Sequence, residues 1–332
     1  GGGESSVYSM KGKVSIGFPV AEEAELQPVL EAFRKQYPNI EVVEVPFEGS
    51  TGGAFNEFLS QHAASNDMPD MMWCDWNDFA PEVAGGLVMA LNDLMKDDKE
   101  AEYVPSGMTD PYTYNGKLYA LPCQLNAMGV TVNLDLLDEL NLDKPSYDWT
   151  IDEFTDLLKK AISNDTVGAA TLEDLDQVYS AQDDGYFYPA YDYVNQKFDF
   201  TNKWVPAMNR LAELRAVPGL EAWSMRYPKN DDGTTSMDSD YVKKFGETGK
   251  DDTHYLFKNG MALMATGATW NDNWMRNECK INWDYWPYPR LDENTPVKTP
   301  IHVDCAYLTK TCAQPEAAFQ LLKWLTYGVE GN

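Results

Sequence analysis

Val14-Ser15-Ile16-Gly17-Phe18 alternates apolar and small residues, which predicts a first strand. From Glu22 to Tyr37, the side chains of Leu26, Val29, Leu30, Phe33 and Tyr37 fall on one helical face. Glu22, Glu23 and Glu25 stand in the first turn and Arg34 and Lys35 near the end, which suits the helix dipole. Pro38-Asn39 stops the helix, and Ile40-Glu41-Val42-Val43-Glu44-Val45 predicts a second strand. A strand–helix–strand unit of this length implies a parallel pair joined by a right-handed crossover.

Gly52-Gly53 opens a second predicted helix, with Phe55, Phe58, Leu59 and His62 on its inner face. His62 reads as a partly buried helix residue rather than a ligand. Met68 to Trp73 predicts a short third strand. In open α/β sheets ligands bind beyond the carboxyl ends of the strands, so Cys74, Asp75, Trp76, Asn77 and Asp78 draw notice. Leu87 to Met95 is apolar and leads into an acidic loop. Tyr114 to Pro122 predicts a hairpin turning at Asn115-Gly116, and Gln124 to Val132 continues extended. Thr150 and Glu153 form a capping box ahead of a helix whose apolar face is Ile151, Phe154, Leu157, Leu158 and Ile162. The pattern is looser from about 165 to 255, apart from an aromatic loop at Tyr186 to Tyr191 and a helical stretch from Lys203 to Leu214. Ile281 to Pro287 and Ile301 to Leu308 predict two more strands, and Pro315 opens a last helix through Trp324.

The stretch Phe257 to Trp274 is the most informative. Its apolar run, Met261 to Ala265, is bounded by glycines and predicts a buried strand. Gly267 lets the backbone turn, which puts Trp270 at the strand's mouth beside Asn271, Asp272 and Asn273. A flat ring next to amides and carboxylates suits a sugar, which has an apolar C–H face and a hydroxyl rim. A core tryptophan at a strand end would give the same local sequence.

At 332 residues the chain has room for two domains and a sizeable core. Lys plus Arg number 26 against 53 Asp plus Glu, a net charge of −27, which disfavours nucleic acid and anionic membrane surfaces as partners. Of ten Trp, 19 Tyr and 13 Phe, many cluster in polar surroundings, as in Trp73 to Trp76, Tyr186 to Tyr193 and Trp283 to Tyr288, a pattern that fits a binding cleft. The five cysteines at 74, 123, 279, 305 and 312 match neither a disulfide framework nor zinc spacing. No apolar run reaches the length of a membrane span. Gly1 to Ser6 is a polar leader, read either as a cloning remnant or as the tether behind a lipidated cysteine.

Motifs for catalysis are missing: there is no P-loop, GxGxxG, HExxH or GxSxG, and His62, His254 and His302 are far apart. Asp231, Asp232, Asp238 and Asp240 do not match a calcium loop, and 230–240 reads as solvated. No metal or cofactor is expected. The carboxylates are too numerous to single out a glycosidase pair.

Four stretches, in order, carry a resemblance: M-P-D-M-M-W with G-G-L-V-M-A-L at 85–91; Y-N-G-K-L-Y-A-L-P leading into G-V-T-V-N-L-D-L-L and P-S-Y-D-W-T-I-D-E-F; F-K-N-G-M-A-L-M with G-A-T-W; and A-Y-L-T-K-T-C-A-Q-P-E-A-A-F-Q-L-L-K-W-L-T. Together they resemble the extracellular solute-binding lipoproteins of bacterial ABC importers, in the broad family of the maltodextrin-binding protein. That resemblance implies a type II periplasmic-binding-protein-like α/β fold, with mixed sheets flanked by helices and a hinge between two lobes. Lobe one would be 11–124 plus 303–332 and lobe two 125–302, after a flexible leader at 1–10, with the family's helices beyond Trp324 absent. It implies ligand contacts at Phe18, Glu22, Asp75, Trp76, Asn77, Asn126, Tyr186, Tyr188, Trp270 and Asp304 in the cleft between lobes, with His302 a weaker candidate; Asn271 joins them as a neighbour of Trp270.

The function this implies is a non-enzymatic receptor, a monomer at the outer face of the cell or in the periplasm. It captures an oligosaccharide and presents it to permease subunits. Two alternatives stay open. One is a glycoside-acting enzyme using carboxylates such as Asp75 and Asp272; the other is a binder of a peptide, a polyamine or another cation.

Overall fold

The computed structural model describes residues 7–49, 53–76, 79–105, 107–175, 191–192, 197–198, 204–226, 231–232, 240–245 and 253–331. Apart from two short two-stranded hairpins, the strands are β1 (Gly12–Pro19), β2 (Ile40–Phe47), β3 (Met71–Asp75), β4 (Leu121–Asn133), β5 (Val167–Ala169), β6 (Ala262–Ala268), β7 (Trp283–Trp286) and β8 (Ile301–Leu308). The longer helices are α1 (Glu23–Gln36), α2 (Gly53–Ala64), α3 (Ile151–Lys160), α4 (Trp204–Arg215) and α5 (Pro315–Trp324). The chain forms two units, 1–125 with 303–332 and 126–302, so that it leaves the first within β4 and returns to it within β8.

In unit one, β1 runs parallel to both β2 and β3, and β8 closes the order antiparallel to β3. The period-2 pattern of β1 turns Val14, Ile16 and Phe18 to one face, where α1 meets them with Leu26, Leu30 and Phe33. Burying each such side chain contributes about 1.5–3 kcal/mol. Helix α5 joins this layer, and the Trp324 indole N–H donates to the Val29 carbonyl (3.1 Å). The other face holds Phe47, Phe55, Phe58 and Tyr307; Phe47 and Phe58 stack with centroids 4.5 Å apart. His62 packs against Phe58 and pairs with Asp67 within the same surface corner, as a helix residue. The Asn115-Gly116 turn has both residues in the left-handed region, as a two-residue hairpin of this hand requires.

The third strand lies further along than Met68 to Trp73. Pro69 has no N–H for a ladder, and its carbonyl instead accepts from the Thr309 hydroxyl. Pairing with β8 then extends the strand to Asp75, opposite Cys305. Asp75 is therefore the last residue of the strand rather than a loop residue after it.

In unit two, β4 is central: β6 and β7 flank it, both antiparallel, and β5 runs parallel to β6. Helix α3 begins at the Thr150–Glu153 capping box and buries Ile151, Phe154 and Leu158 against Val130, Val132, Leu263 and Met264. Gly168 permits this approach, because a Cβ there would lie 2.7 Å from the Leu158 carbonyl oxygen. The opposite face packs Phe257, Ala262, Ala265 and Met275. Beyond β6 a single 3-10 turn, Thr269–Asn271, leads directly into a short helix, Asp272–Glu278.

Candidate ligand-binding site

Strand β6 carries the site in unit two. Its apolar residues are buried up to Ala268, and the chain then emerges with Trp270, half of whose surface is exposed. The Trp270 ring meets that of His302 in a T-shaped contact, centroids 5.7 Å apart. Thr269, one residue earlier, accepts a hydrogen bond from the Ala127 N–H (3.1 Å), and its hydroxyl donates to Asn126 Oδ1 (3.1 Å). One residue later, Asn271 Oδ1 accepts from the Trp274 indole N–H (3.0 Å). Gly267 leaves room for this side chain, since a Cβ on it would stand 3.0 Å from Asn271 Nδ2. Asp272 is tied down by the Tyr285 hydroxyl (2.6 Å); burial first, and this hydrogen bond next, push the Tyr285 hydroxyl up from its ordinary value.

The corresponding residues of unit one gather at the carboxyl ends of β1 and β3. Glu22 ends the 3-10 turn Val20–Glu22 and is the N-cap of α1. Burial raises its carboxyl above the ordinary 4.5, the charges of Glu25 and Asp304 add to the rise, and a hydrogen bond with Gln124 opposes it. The Gln124 amide N–H donates to Glu25 (2.6 Å), and its Oε1 accepts from the Cys74 thiol (3.1 Å). Cys74 has φ +65, a conformation that costs a non-glycine residue energy. It sits where the β3–β8 register shifts, and its thiol also lies 3.8 Å from Asp304 Oδ2. Contact with Cys123 and burial together push that thiol up. Asp75 is buried, and its carboxylate accepts from the Tyr307 hydroxyl (2.8 Å).

The sequence-derived candidates thus divide. Trp270, Asn126 and Asn271 come together in unit two, and Glu22 and Asp304 in unit one. Trp76 is partly buried and packs edge-on against Phe55, centroids 4.9 Å apart. Phe18 is fully buried beside Val14 and Ile16, so its ring offers a ligand no surface here. Asn77, Tyr186 and Tyr188 lie outside the described residues. Thr269, Gln124 and Glu25 join the site without having been singled out from sequence. Thr269 could have been noticed as the residue before Trp270 in G-A-T-W. Among the described residues no group of three or more His, Cys, Asp or Glu is placed to hold a metal ion, and the five cysteines are free thiols.

The model of the bacterial extracellular solute-binding proteins matches residues 19–326. The chain belongs to this family. It is a family of transporter binding proteins and not of enzymes. Over 160 residues the chain is 30% identical to an uncharacterised ABC transporter extracellular-binding protein of Pyrococcus horikoshii; the stretch is 45% of this chain but only 36%, about a third, of that relative. Among solved structures, it is similar to an ABC substrate-binding protein of Listeria monocytogenes in complex with cycloalternan, with TM-score 0.73 at 20% identity over 97% of this chain and 77% of the other. A Thermotoga lettingae solute-binding protein bound with α-D-tagatose gives 0.68 at 15% identity over 95% and 77%. The apo form of RafE from Streptococcus pneumoniae gives 0.65 at 20% over 95% and 77%. These likenesses establish the α/β fold of type II solute-binding proteins. Among the described residues no helix is long and apolar enough to cross a membrane.

Proposed function

We propose that this solute-binding protein captures a neutral oligosaccharide outside the cell and hands it to the permease of an ABC importer. The observation that carries the proposal is Trp270: a half-exposed indole at the end of a buried strand, with a carboxamide hydrogen-bonded to the residue before it and another on the residue after it. An exposed ring of this size in a family of receptors is best used as a stacking surface for the C–H face of a sugar. Glu22, Asp304, Trp76 and Asn77 in unit one and Asn126, Asn271, Tyr186 and Tyr188 in unit two complete the proposed contact set. The bound cycloalternan and tagatose of two similar proteins favour a sugar as ligand. Action as a monomer, tethered to the membrane by a lipid, belongs to the same proposal.

A cationic ligand is the second reading, and one observation favours it. Burial raises the Glu22 carboxyl, and the nearby charges of Glu25 and Asp304 in unit one add to that rise. A ligand cation would relieve that repulsion. Thermal shift separates the two, because any ligand that prefers the folded state raises the melting temperature. The panel is mannotriose, cycloalternan, D-tagatose, maltotriose and spermidine. A rise with a sugar that spermidine does not reproduce supports the proposal; a rise with spermidine alone replaces it with the second reading.

A further inference from the structure

The Thr269 hydroxyl makes one hydrogen bond as acceptor and one as donor. The Ala127 peptide N–H donates to it, so one lone pair of Oγ1 is taken. The hydroxyl hydrogen points at Asn126 Oδ1, 3.1 Å away. Reversing the Asn126 carboxamide would let its N–H donate to the remaining lone pair of Oγ1 but would leave the hydroxyl hydrogen without this acceptor. Among the described residues Asn126 Nδ2 donates no hydrogen bond. The same division of labour recurs at Asn271. The Trp274 indole N–H can only donate, so the atom of Asn271 facing it at 3.0 Å is the carbonyl oxygen. Its amide nitrogen lies beside Gly267, where the absence of a Cβ leaves it room.

We infer that Thr269 is a positioning residue which holds the Asn126 carboxamide with its oxygen on the Thr269 hydroxyl and its nitrogen turned away from it, so that this edge of the Trp270 surface donates N–H groups and selects ligand oxygens over ammonium groups. This deepens the sugar-binding proposal and rests on it for the role of Trp270. A hydroxyl or ring oxygen accepts from such an amide N–H. An ammonium group has no lone pair and meets two donors there, which repels it.

The experiment uses the whole chain and three substitutions. Thr269→Ser keeps the hydroxyl, Thr269→Val removes it at nearly constant shape, and Asn126→Asp replaces the amide donor by an acceptor. The readouts are the Asn126 side-chain NH2 signals in a ¹H–¹⁵N spectrum and affinity for the best sugar of the panel above. Thr269→Ser is expected to leave the Asn126 signals in place and the affinity within about twofold of the parent. Thr269→Val is expected to shift and broaden the Asn126 signals and weaken the sugar about tenfold, the loss of one well-placed hydrogen bond. Asn126→Asp is expected to weaken the sugar at least as much and to improve spermidine binding. Unchanged Asn126 signals in Thr269→Val, equal damage in Thr269→Ser, or full sugar affinity in Asn126→Asp would each overturn the inference. If the parent binds no sugar of the panel, the sugar-binding proposal fails, while the Asn126 signals still decide the role of Thr269. Melting temperatures within a few degrees of the parent confirm that each variant is folded.

Discussion

Trp270 and His302 stand nearly at right angles, their ring planes 82° apart and their centroids 5.7 Å apart. The contact braces the indole from one side and still leaves half of its surface to solvent. That combination of support and exposure is what a stacking platform needs, because the ring is ordered before the ligand arrives. Trp270→Ala is therefore expected to separate binding from stability. The sugar affinity should fall by roughly ten- to a hundredfold, on the order of 1.5–3 kcal/mol for apolar area no longer buried by the ligand. The melting temperature should hardly move, since the lost ring is not in a core. A large fall in melting temperature with affinity unchanged would make Trp270 a packing residue.

Glu22 offers a test with a pH signature. Its carboxyl is raised above the ordinary 4.5 by burial and then by Glu25 and Asp304. A carboxyl raised in the folded state binds its proton more tightly there than in the unfolded chain. Stability is thus lost as pH climbs from the unfolded value through the folded one. Glu22→Gln should melt higher than the parent at about pH 7, by less than about 1 kcal/mol once solvent screening is allowed for. The advantage should vanish below about pH 4, where both states are protonated. Melts at the two pH values check this, and a variant less stable than the parent at neutral pH contradicts it.

Asp98 is the opposite case. Its carboxylate accepts from the Tyr327 hydroxyl (2.8 Å), pairs with Lys323 (2.9 Å) and caps the Glu100 N–H (3.0 Å). Burial works to raise its pKa, but the hydrogen bonds from Lys323, Tyr327 and Glu100 outweigh it and hold the carboxyl below the ordinary 3.8. A depressed carboxyl contributes stability above the unfolded value and loses it as pH falls through the folded one. Asp98→Asn should cost about 2 kcal/mol at neutral pH, and the gap to the parent should close on acidification below about 3.8. Denaturant titrations across that range are the check.

The capping box of α3 should behave as a local device. Thr150 Oγ1 accepts from the Glu153 N–H, and the Glu153 carboxylate accepts from the Thr150 N–H (2.7 Å). Thr150→Ala is expected to cost about 1 kcal/mol of stability with sugar affinity untouched. A cost near zero, read from denaturant midpoints, would mean that water caps the helix as well as threonine does.

Much of the framework could be read along the chain. Ile301–Leu308 and Pro315–Trp324 form as expected because apolar residues that alternate with His302 and Asp304 before running on to Leu308, and a proline at the first helical turn, are local signals. The emergence of Trp270 was legible for the same reason: a buried run, a glycine break and an indole among amides. Phe18 is buried, as its own pattern indicates. Alternation with Val14 and Ile16 points its ring into the core, and the family likeness drew it toward the ligand instead. The end of β3 was not legible, because a strand partner more than 200 residues away sets it. Thr269 and Gln124 were silent because their partners, Ala127 and Asn126 for one and Glu25 and Cys74 for the other, become neighbours only in the folded units. Hydrophobic period reports burial; it carries no information on which polar atoms will face one another.

Titration calorimetry of the whole chain with the neutral oligosaccharides of the panel tests the central claim most directly. A saturable one-to-one isotherm with a dissociation constant well below millimolar, lost in Trp270→Ala, is the result predicted. Absence of heat with every sugar, or an isotherm that Trp270→Ala leaves unchanged, would contradict it.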